Sequence, residues 1–278
     1  MSKHKTMNKD AHLYNRNQAS QNGNESQLGT DDEPSINFDV IARVSSPYKE
    51  KFAIPRQPGL VSAATGKISL INQANNIELV RGLEQFSHIW LLFIFHATKQ
   101  QGWKPLVRPP RLGGNKKLGV LSTRSTFRPN PIGMSVVKLE EITCIKKQVT
   151  LHVSGIDLLD QTPIIDIKPY IPYSDAIPSA QAGFAQEQPN KSLTVTFTLQ
   201  AEKTLQQLSD KYSDLKSLIE QVLAQDPRPA YKQKKTQHKA SLNMPAMFDD
   251  KVYGISLYQF NIKWRLISAS KIEVFEIQ

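Results

Sequence analysis

Short segments of apolar or alternating residues recur from residue 38 to the end of the chain, and only one stretch has a helical period. Period-two alternation indicates a half-buried strand, whereas a helix repeats its apolar residues every three to four positions. Many short strands beside one helical stretch, 205–223, predict a mainly β barrel or a strongly curved sheet. Segment 86–96 is the most apolar of these and is predicted to be buried on both faces. The predicted strands are 38–44, 67–71, 77–80, 86–96, 119–123, 132–142, 149–154, 164–167, 193–199, 253–267 and 272–277.

The composition changes twice along the chain. Residues 1–35 are rich in Asn, Gln, Ser, Lys and Asp and lack an apolar period, which predicts a disordered polar tail. Residues 36–200 carry most of the predicted strands and are expected to form a single β-barrel-like core. Residues 201–278 hold the helical stretch and the last strands, which predicts a smaller α+β C-terminal domain. The expected fold class is therefore mainly β.

The residue patterns that several common enzyme classes require are missing from this sequence. The single cysteine, Cys144, excludes a disulfide framework and a cysteine-based zinc site, and it fits a reducing compartment. No Gly-x-Gly-x-x-Gly, P-loop, Gly-x-Ser-x-Gly or His-Glu-x-x-His pattern occurs, so a doubly wound dinucleotide site is not expected. No apolar run approaches the ~18 residues of a membrane span. We expect a cytoplasmic protein without a metal.

Lysine and arginine exceed aspartate and glutamate by ten (35 − 25), and the excess is unevenly placed. Residues 1–35 hold four basic and five acidic residues, so the remainder of the chain carries +11. Segment 85–139 contains nine lysines or arginines and no acidic residue, and a second basic cluster lies at 226–239. Such clusters favour a polyanionic partner, because neutralised phosphates release counterions. A solvated face that only aids solubility is the alternative.

Segment 122–133, with the sequence STRSTFRPNPIG, concentrates polar groups on a stiff backbone. Arg124, Arg128 and Asn130 stand there among hydroxyl residues, and Pro129 and Pro131 restrict the backbone. Preorganised polar side chains on a rigid loop are typical of a ligand site. The alternative is a structural turn with two surface arginines.

Two aspartates and one histidine beside the predicted strands are candidate acid–base groups. Asp157 and Asp166 border short apolar runs, where a carboxylate can bind a ribose hydroxyl or an amine, or act as a base. His96 ends the apolar segment 86–96, and a hydrogen-bonded core histidine is the alternative interpretation.

A third candidate is segment 226–232, with the sequence DPRPAYK. Its two prolines favour an extended chain that displays Arg228, Tyr231 and Lys232. An arginine beside an aromatic ring suits phosphate contact and base stacking in single-stranded RNA. The alternative is a proline-rich exit from the preceding helix with incidental charge.

These segments together resemble the TsaA-like (TrmO) family of tRNA N6-methyltransferases. The resemblance also includes IARVSSPYK at 41–49, FAIPRQPG at 52–59 and GIDLLDQTPIIDIKPY at 155–170, and it runs from about residue 36 onward. It implies a β-barrel enzyme that depends on S-adenosylmethionine and is usually a homodimer. The implied reaction methylates N6 of threonylcarbamoyladenosine at position 37, beside the anticodon of a threonine tRNA.

The resemblance further implies where the site lies: near the RQP segment, the strand that ends in histidine, the STR loop and the Gly-x-Asp turn. Asp157, Asp166 or His96 is the hypothesised acceptor of the N6 proton. Arg128, Asn130, Arg228, Tyr231 and Lys232 are expected to contact tRNA. The expected cofactor-binding residues are Arg56, Gln57, Pro58, His96, Ala97, Arg124, Met134, Gly155, Ile156, Asp157 and Leu158.

Two other functions stay open on the sequence alone. One is a non-catalytic RNA-binding barrel that uses the same basic surface. The other is a methyltransferase that keeps the pocket but acts on a small molecule.

Overall fold

A computed structural model of the chain describes residues 36–113, 115–187, 193–228 and 251–278. The predicted disordered tail 1–35 lies outside these residues, as do Tyr231 and Lys232. Within the described ranges, no helix has the length and apolar character needed to cross a membrane. The same ranges contain no cluster of His, Cys, Asp and Glu side chains suited to a metal ion.

Twelve strands and three α-helices are found in the described part of the chain. The strands are β1 (Ala42–Ser45), β2 (Thr65–Leu70), β3 (His88–Ile94), β4 (Leu106–Val107), β5 (Leu118–Gly119), β6 (Ile132–Ile145), β7 (Gln148–Ser154), β8 (Pro163–Pro169), β9 (Thr194–Phe197), β10 (Tyr253–Leu257), β11 (Phe260–Ser268) and β12 (Lys271–Ile277). The helices are α1 (Pro172–Asp175), α2 (Leu199–Leu208) and α3 (Leu215–Ala224).

Six of these strands close into an antiparallel barrel in the order β1-β2-β7-β6-β3-β8. The alternation along β3 fits a closed barrel with an apolar interior. Ile89, Leu91 and Phe93 are buried, and the residues between them are partly exposed. The predicted mainly β fold with a barrel core is thus confirmed. The prediction that segment 86–96 is buried on both faces is wrong, because a strand of this barrel keeps an outer face.

A second sheet, in the order β10-β11-β12-β9, lies with α2 and α3 in the C-terminal part of the chain. β9 runs parallel to β12, whereas the other pairs are antiparallel. Both helices contact β9, and their apolar sides are buried, for example at Leu205 and Leu218. This part is the predicted smaller α+β region. The boundary at 200/201 stays a prediction, and β9 precedes it although it pairs in the second sheet.

Two predicted strands in the barrel region are wrong for local reasons. Residues Ile77–Val80 form a 3-10 helix, because the Asn76 side chain accepts a hydrogen bond from the Glu78 N–H and caps the turn. The predicted strand 119–123 contains only the end of β5. Val120–Ser122 turns as a 3-10 helix there.

Two predictions for the C-terminal part are also corrected. The helical stretch 205–223 is two helices, although the apolar period continues across the interruption between Leu208 and Leu215. Segment 253–267 is a hairpin of β10 and β11. Tyr258 turns it with a positive φ of 54°, a conformation that glycine or asparagine usually signals.

The barrel and the second sheet meet where the loop after β1 contacts the turn between β10 and β11. Tyr48 pairs with Leu257 in an isolated bridge, and the Tyr258 N–H donates to the Pro47 carbonyl at 2.7 Å. The Tyr48 side chain is fully buried. The C-terminal sheet therefore holds the loop that leads toward the functional site.

Candidate active site

A cavity of about 440 Å³ opens where β3 ends and β6 begins. This volume lies in the range of small-molecule sites. Its lining comes from four parts of the chain: 51–58, 93–98, 123–135 and 157–162. The fold therefore brings together the RQP segment, the histidine at the end of β3, the STR loop and the Gly-x-Asp turn. Nine predicted cofactor-binding residues line the cavity: Arg56, Gln57, Pro58, His96, Ala97, Arg124, Met134, Asp157 and Leu158.

The STR loop is fixed by its own hydroxyl groups. The Thr123 hydroxyl donates to the Val120 carbonyl at 2.8 Å and accepts from the Ser125 N–H at 3.2 Å. Arg124 Nη1 then donates across the cavity mouth to Gln57 Oε1 at 2.6 Å. Arg124 is otherwise exposed. Its remaining N–H groups can bind an anionic group at the cavity mouth.

An aromatic wall that the sequence analysis did not identify stands beside this loop. The rings of Phe93 and Phe95 pack edge to face at 5.3 Å, and both residues line the cavity. Gly133 on β6 makes room for them, because a Cβ there would lie 2.5 Å from Cζ of Phe93 and 2.8 Å from Cζ of Phe95. Gly133 in the STRSTFRPNPIG segment thus shapes the cavity wall.

Asp157 supplies the carboxylate that lines the cavity. It follows Gly155, whose positive φ of 72° and close approach to the backbone of Gly59 turn the chain after β7. The Asp157 Oδ1 atom is buried without a hydrogen-bond partner among the described residues. Burial raises the pKa of Asp157 to about 6, while the Ser135 hydroxyl and the Arg124 charge act in the opposite direction. Near neutral pH this carboxylate can accept a proton.

Ser135 is a second residue that the sequence analysis missed. It is 2% exposed and stands on β6 in an inward position, between Gly133 and the buried Val137. A hydroxyl at an inward position of an otherwise apolar alternation is a signal that the sequence contained. Its hydroxyl stabilises the charged form of Asp157.

His96 also faces the cavity, just beyond β3. Partial burial lowers the pKa of His96 and the nearby Arg43 charge lowers it further, while a hydrogen bond to the Ile94 backbone opposes them. The imidazole is therefore neutral at neutral pH and is a second possible proton acceptor in the same cavity.

Three other residues expected at the site do not line the cavity. Gly155 and Ile156 are buried beside it, in the turn that positions Asp157. Asp166 lies in the middle of β8, where its Oδ2 forms an ion pair with Lys168 at 2.8 Å. The structure thus separates the two aspartates that the sequence left equivalent.

The residues expected to contact tRNA are dispersed. Arg128 lines the cavity, but its Nη1 donates to the Thr123 carbonyl at 2.8 Å, so it also braces its own loop. Asn130 is exposed outside the cavity. Arg228 is 6% exposed and its Nε donates to Asp226 Oδ1 at 2.7 Å. The guanidinium of Arg228 is therefore held within the protein.

Comparison with known proteins identifies the family. A family model described as the tRNA-methyltransferase O N-terminal domain matches residues 43–176, and one described as the TrmO C-terminal domain matches residues 190–278. The tRNA (adenine(37)-N6)-methyltransferase of Escherichia coli strain K12 is 49% identical over 244 residues, 88% of this chain and 98% of that protein. The chain belongs to the TrmO family. A crystal structure of TrmO from Pseudomonas aeruginosa superposes with a TM-score of 0.70 at 36% identity, over 88% of this chain and 99% of that one.

A further relative of this TrmO chain bears on the cofactor. RcsF of Pseudomonas aeruginosa, which carries the name S-adenosylmethionine-dependent methyltransferase, is 42% identical over 85% of this chain and 95% of that protein. The family implied by the sequence motifs is therefore confirmed, and the chain is an enzyme of a methyltransferase family.

Proposed function

We propose that this protein transfers a methyl group from S-adenosylmethionine to N6 of adenine 37 in a tRNA, and that its target is the N6-threonylcarbamoyl form in threonine tRNA. The observation that carries the proposal is the buried, unpartnered carboxylate oxygen of Asp157 in a polar and aromatic cavity of a TrmO barrel. A buried polar atom of this kind requires a partner, and a bound ligand can supply it.

The residues present fit S-adenosylmethionine. The unpartnered Asp157 oxygen accepts from an amine or a ribose hydroxyl, and the Arg124 guanidinium can hold a carboxylate. The rings of Phe93 and Phe95 offer an apolar wall for a flat base. When bound, S-adenosylmethionine supplies a methyl group on a positively charged sulfur that a nucleophile can attack.

The protein's own contribution is to position the nucleophile and to accept a proton. N6 of threonylcarbamoyladenosine belongs to a urea-type group and is a poor nucleophile while it holds its proton. We assign Asp157 to accept that proton, because its Oδ1 atom is buried in the cavity and its pKa is raised. His96 is the other acceptor within the cavity, whereas Asp166 lies outside its lining. Holding the reacting groups in line supplies much of the remaining rate.

The acid-free segment 85–139 supports an RNA partner. Seven of its basic residues, from the end of β3 through the STR loop, are exposed, so their charges can reach phosphates. They lie close in the sequence to the STR loop, which lines the cavity. These residues are Lys99, Lys104, Arg108, Arg111, Lys116, Lys117 and Arg124. We propose that this surface binds the anticodon stem, in a cytoplasmic enzyme that acts as a homodimer.

The test is methyl transfer from radiolabelled S-adenosylmethionine to two tRNA pools, one with and one without the threonylcarbamoyl group. The expected result is incorporation into the modified pool alone, located by mass spectrometry at position 37 of threonine tRNA. Incorporation into both pools would contradict the substrate assignment. Salt-dependent tRNA binding without any methyl transfer would identify the non-catalytic RNA-binding barrel instead. Sedimentation equilibrium tests the proposed homodimer.

A further inference from the structure

Two buried polar atoms of the barrel lack a hydrogen-bond partner among the described residues, and they lie in adjacent parts of the fold. One is Asp157 Oδ1 in the cavity, and the other is the hydroxyl oxygen of Tyr48. The Tyr48 side chain is 0% exposed. Leaving a buried hydroxyl unpaired is unfavourable, so its retention requires an explanation.

The backbone joins the Tyr48 loop directly to the turn that carries Asp157. The Asp160 N–H donates to the Tyr48 carbonyl at 2.9 Å, and the Ser46 hydroxyl donates to the Leu158 carbonyl at 2.7 Å. The Ser46 hydroxyl also accepts from the Tyr48 N–H at 3.2 Å. These bonds hold Tyr48 and Asp157 on two neighbouring, mutually fixed pieces of chain.

The two side chains also interact electrostatically. Burial raises the pKa of Tyr48, and the Asp157 carboxylate raises it further, as does Tyr258 to a smaller extent. The phenol therefore keeps its proton at any working pH and is always a hydrogen-bond donor. A donor and an acceptor that are both buried and unpartnered are the groups that a single ordered water joins.

We propose that Tyr48 is a positioning residue for Asp157, its hydroxyl donating to one buried water that donates on to Oδ1. Tyr48 itself does not line the cavity and so acts through the carboxylate. Its role in methyl transfer rests on the proposed function. The water bridge itself does not, since it concerns the ligand-free protein.

Other groups also lie near Asp157 and Tyr48, and substitutions can distinguish their contributions from that of the proposed bridge. The Ser135 hydroxyl from β6, the backbone N–H of Asp157 itself and the Arg124 charge from the STR loop each lower the pKa of the Asp157 carboxyl. Tyr258 faces Tyr48 from the turn of the C-terminal sheet, and its own hydroxyl lies 3.5 Å from Thr65 Oγ1. The remaining charged or titratable side chains that line the same cavity are Lys51, Arg56, His96 and Arg128.

The experiment is a pH titration of the Asp157 carboxyl by carbon-13 NMR in the ligand-free protein, with Asp157→Asn to assign the resonance. A bridge to the charged form lowers the carboxyl pKa, so Tyr48→Phe is expected to raise the midpoint by about half to one pH unit. Tyr48→Phe keeps the ring and removes a hydroxyl that bonds to no described protein group, so the variant should fold. An unchanged midpoint overturns the proposal.

Two control variants calibrate the shift. Ser135→Ala removes a hydroxyl that stabilises the carboxylate and should also raise the midpoint. Tyr258→Phe removes the other phenol beside Tyr48 and should leave the midpoint unchanged. If Tyr258→Phe moves it as far as Tyr48→Phe does, the bridge is wrong and the effect belongs to general packing.

The pH profile of methyl transfer gives the catalytic readout. In Tyr48→Phe the acidic limb of kcat/KM should move upward by the same interval as the carboxyl midpoint. A shifted midpoint in a protein without methyl-transfer activity would support the bridge and contradict the proposed function. A methyltransferase whose midpoint and acidic limb both stay in place would contradict the bridge alone.

Discussion

Charged side chains of the C-terminal sheet form ion pairs with each other, whereas, within the described part of the chain, those of the barrel cavity do not. On the sheet, Arg265 holds Glu273 at 2.6 Å and Lys263 holds Glu276 at 2.8 Å, so opposite charges meet directly. In the cavity, Asp157 Oδ1 has no partner among the described residues, and Arg124 is joined to the neutral Gln57. The acidic and basic side chains of these sheet pairs neutralise each other. The cavity instead keeps binding capacity at a cost in stability. The same substitution should therefore have different effects on a residue of the cavity and on a residue of the same type outside it.

The largest difference is expected between two aspartates. Asp157→Asn removes the carboxylate assigned to accept the N6 proton, so kcat should fall by about 10²- to 10⁴-fold. The amide oxygen of asparagine can still accept a hydrogen bond from S-adenosylmethionine, so the loss of cofactor affinity, measured by calorimetry, should be much smaller. Asp166→Asn, which changes an exposed ion pair with Lys168, should leave kcat close to that of the native protein. Equal turnover in both variants would remove Asp157 from the mechanism.

The second difference concerns stability against pH. The folded-state pKa of Asp157 is about 6 against a model value of 3.8, so between these pH values the folded protein binds the extra proton. The free energy of unfolding therefore falls as pH rises from 4 to 6, by up to about 3 kcal/mol from this group.

Urea denaturation at pH 4 and pH 8 measures this contribution. Asp157→Asn should lack that part of the decline and gain stability relative to the native protein at pH 8. Asp166→Asn should retain the native pH dependence. A native-like pH dependence in Asp157→Asn would contradict the burial of its charge.

The third difference is between two glycines. Gly133→Ala places a methyl group against the rings of Phe93 and Phe95, which should cost about 1–3 kcal/mol in stability and weaken cofactor binding. Gly119→Ala is the matched control, since its nearest neighbour is Ser122 Oγ at 3.5 Å. Thermal unfolding with and without S-adenosylmethionine separates the two effects. Similar behaviour of both variants would mean that the aromatic wall adjusts freely.

The smallest expected effect separates two arginines. Arg124→Lys keeps the charge but loses the planar fork, so the KM for S-adenosylmethionine should rise by about tenfold. Arg265→Lys on the C-terminal sheet makes the same change at an exposed ion pair, and its kinetics should match the native protein. If a lysine serves equally well at position 124, the group held there is a point charge and not a bidentate anion.

The sequence predicted the parts of the site that depend on short motifs. The STRSTFRPNPIG segment, His96 and the Gly-x-Asp turn all reach one cavity, because each lies close to a strand whose place in the barrel follows from its alternation. The difference between Asp157 and Asp166 could not be predicted. It depends on register and burial, which bring one carboxylate to the cavity and place the other beside Lys168.

Contacts between segments that are distant in the sequence could not be predicted either. In the sequence, Phe93 and Phe95 resemble any other apolar strand residues. Their role in the cavity wall depends on Gly133, which the pairing of β3 with β6 places against them. Arg228 and Asp226, which form an ion pair, are only two positions apart in the sequence, but the surrounding fold buries the pair. The motifs therefore indicated which segments come together at the cavity, while long-range packing determined the neighbours of each side chain.

The parallel pairing of β9 with β12 has a consequence for synthesis of the protein. All six barrel strands precede residue 170, so the barrel can close while the rest of the chain is still being made. At typical rates of translation the remaining residues take roughly 5–20 s. β9 emerges within that interval and then waits without its partner, since β12 comes much later in the sequence. The ribosome thus delivers the cavity walls first, and the strand that pairs with β9 emerges well after β9 itself.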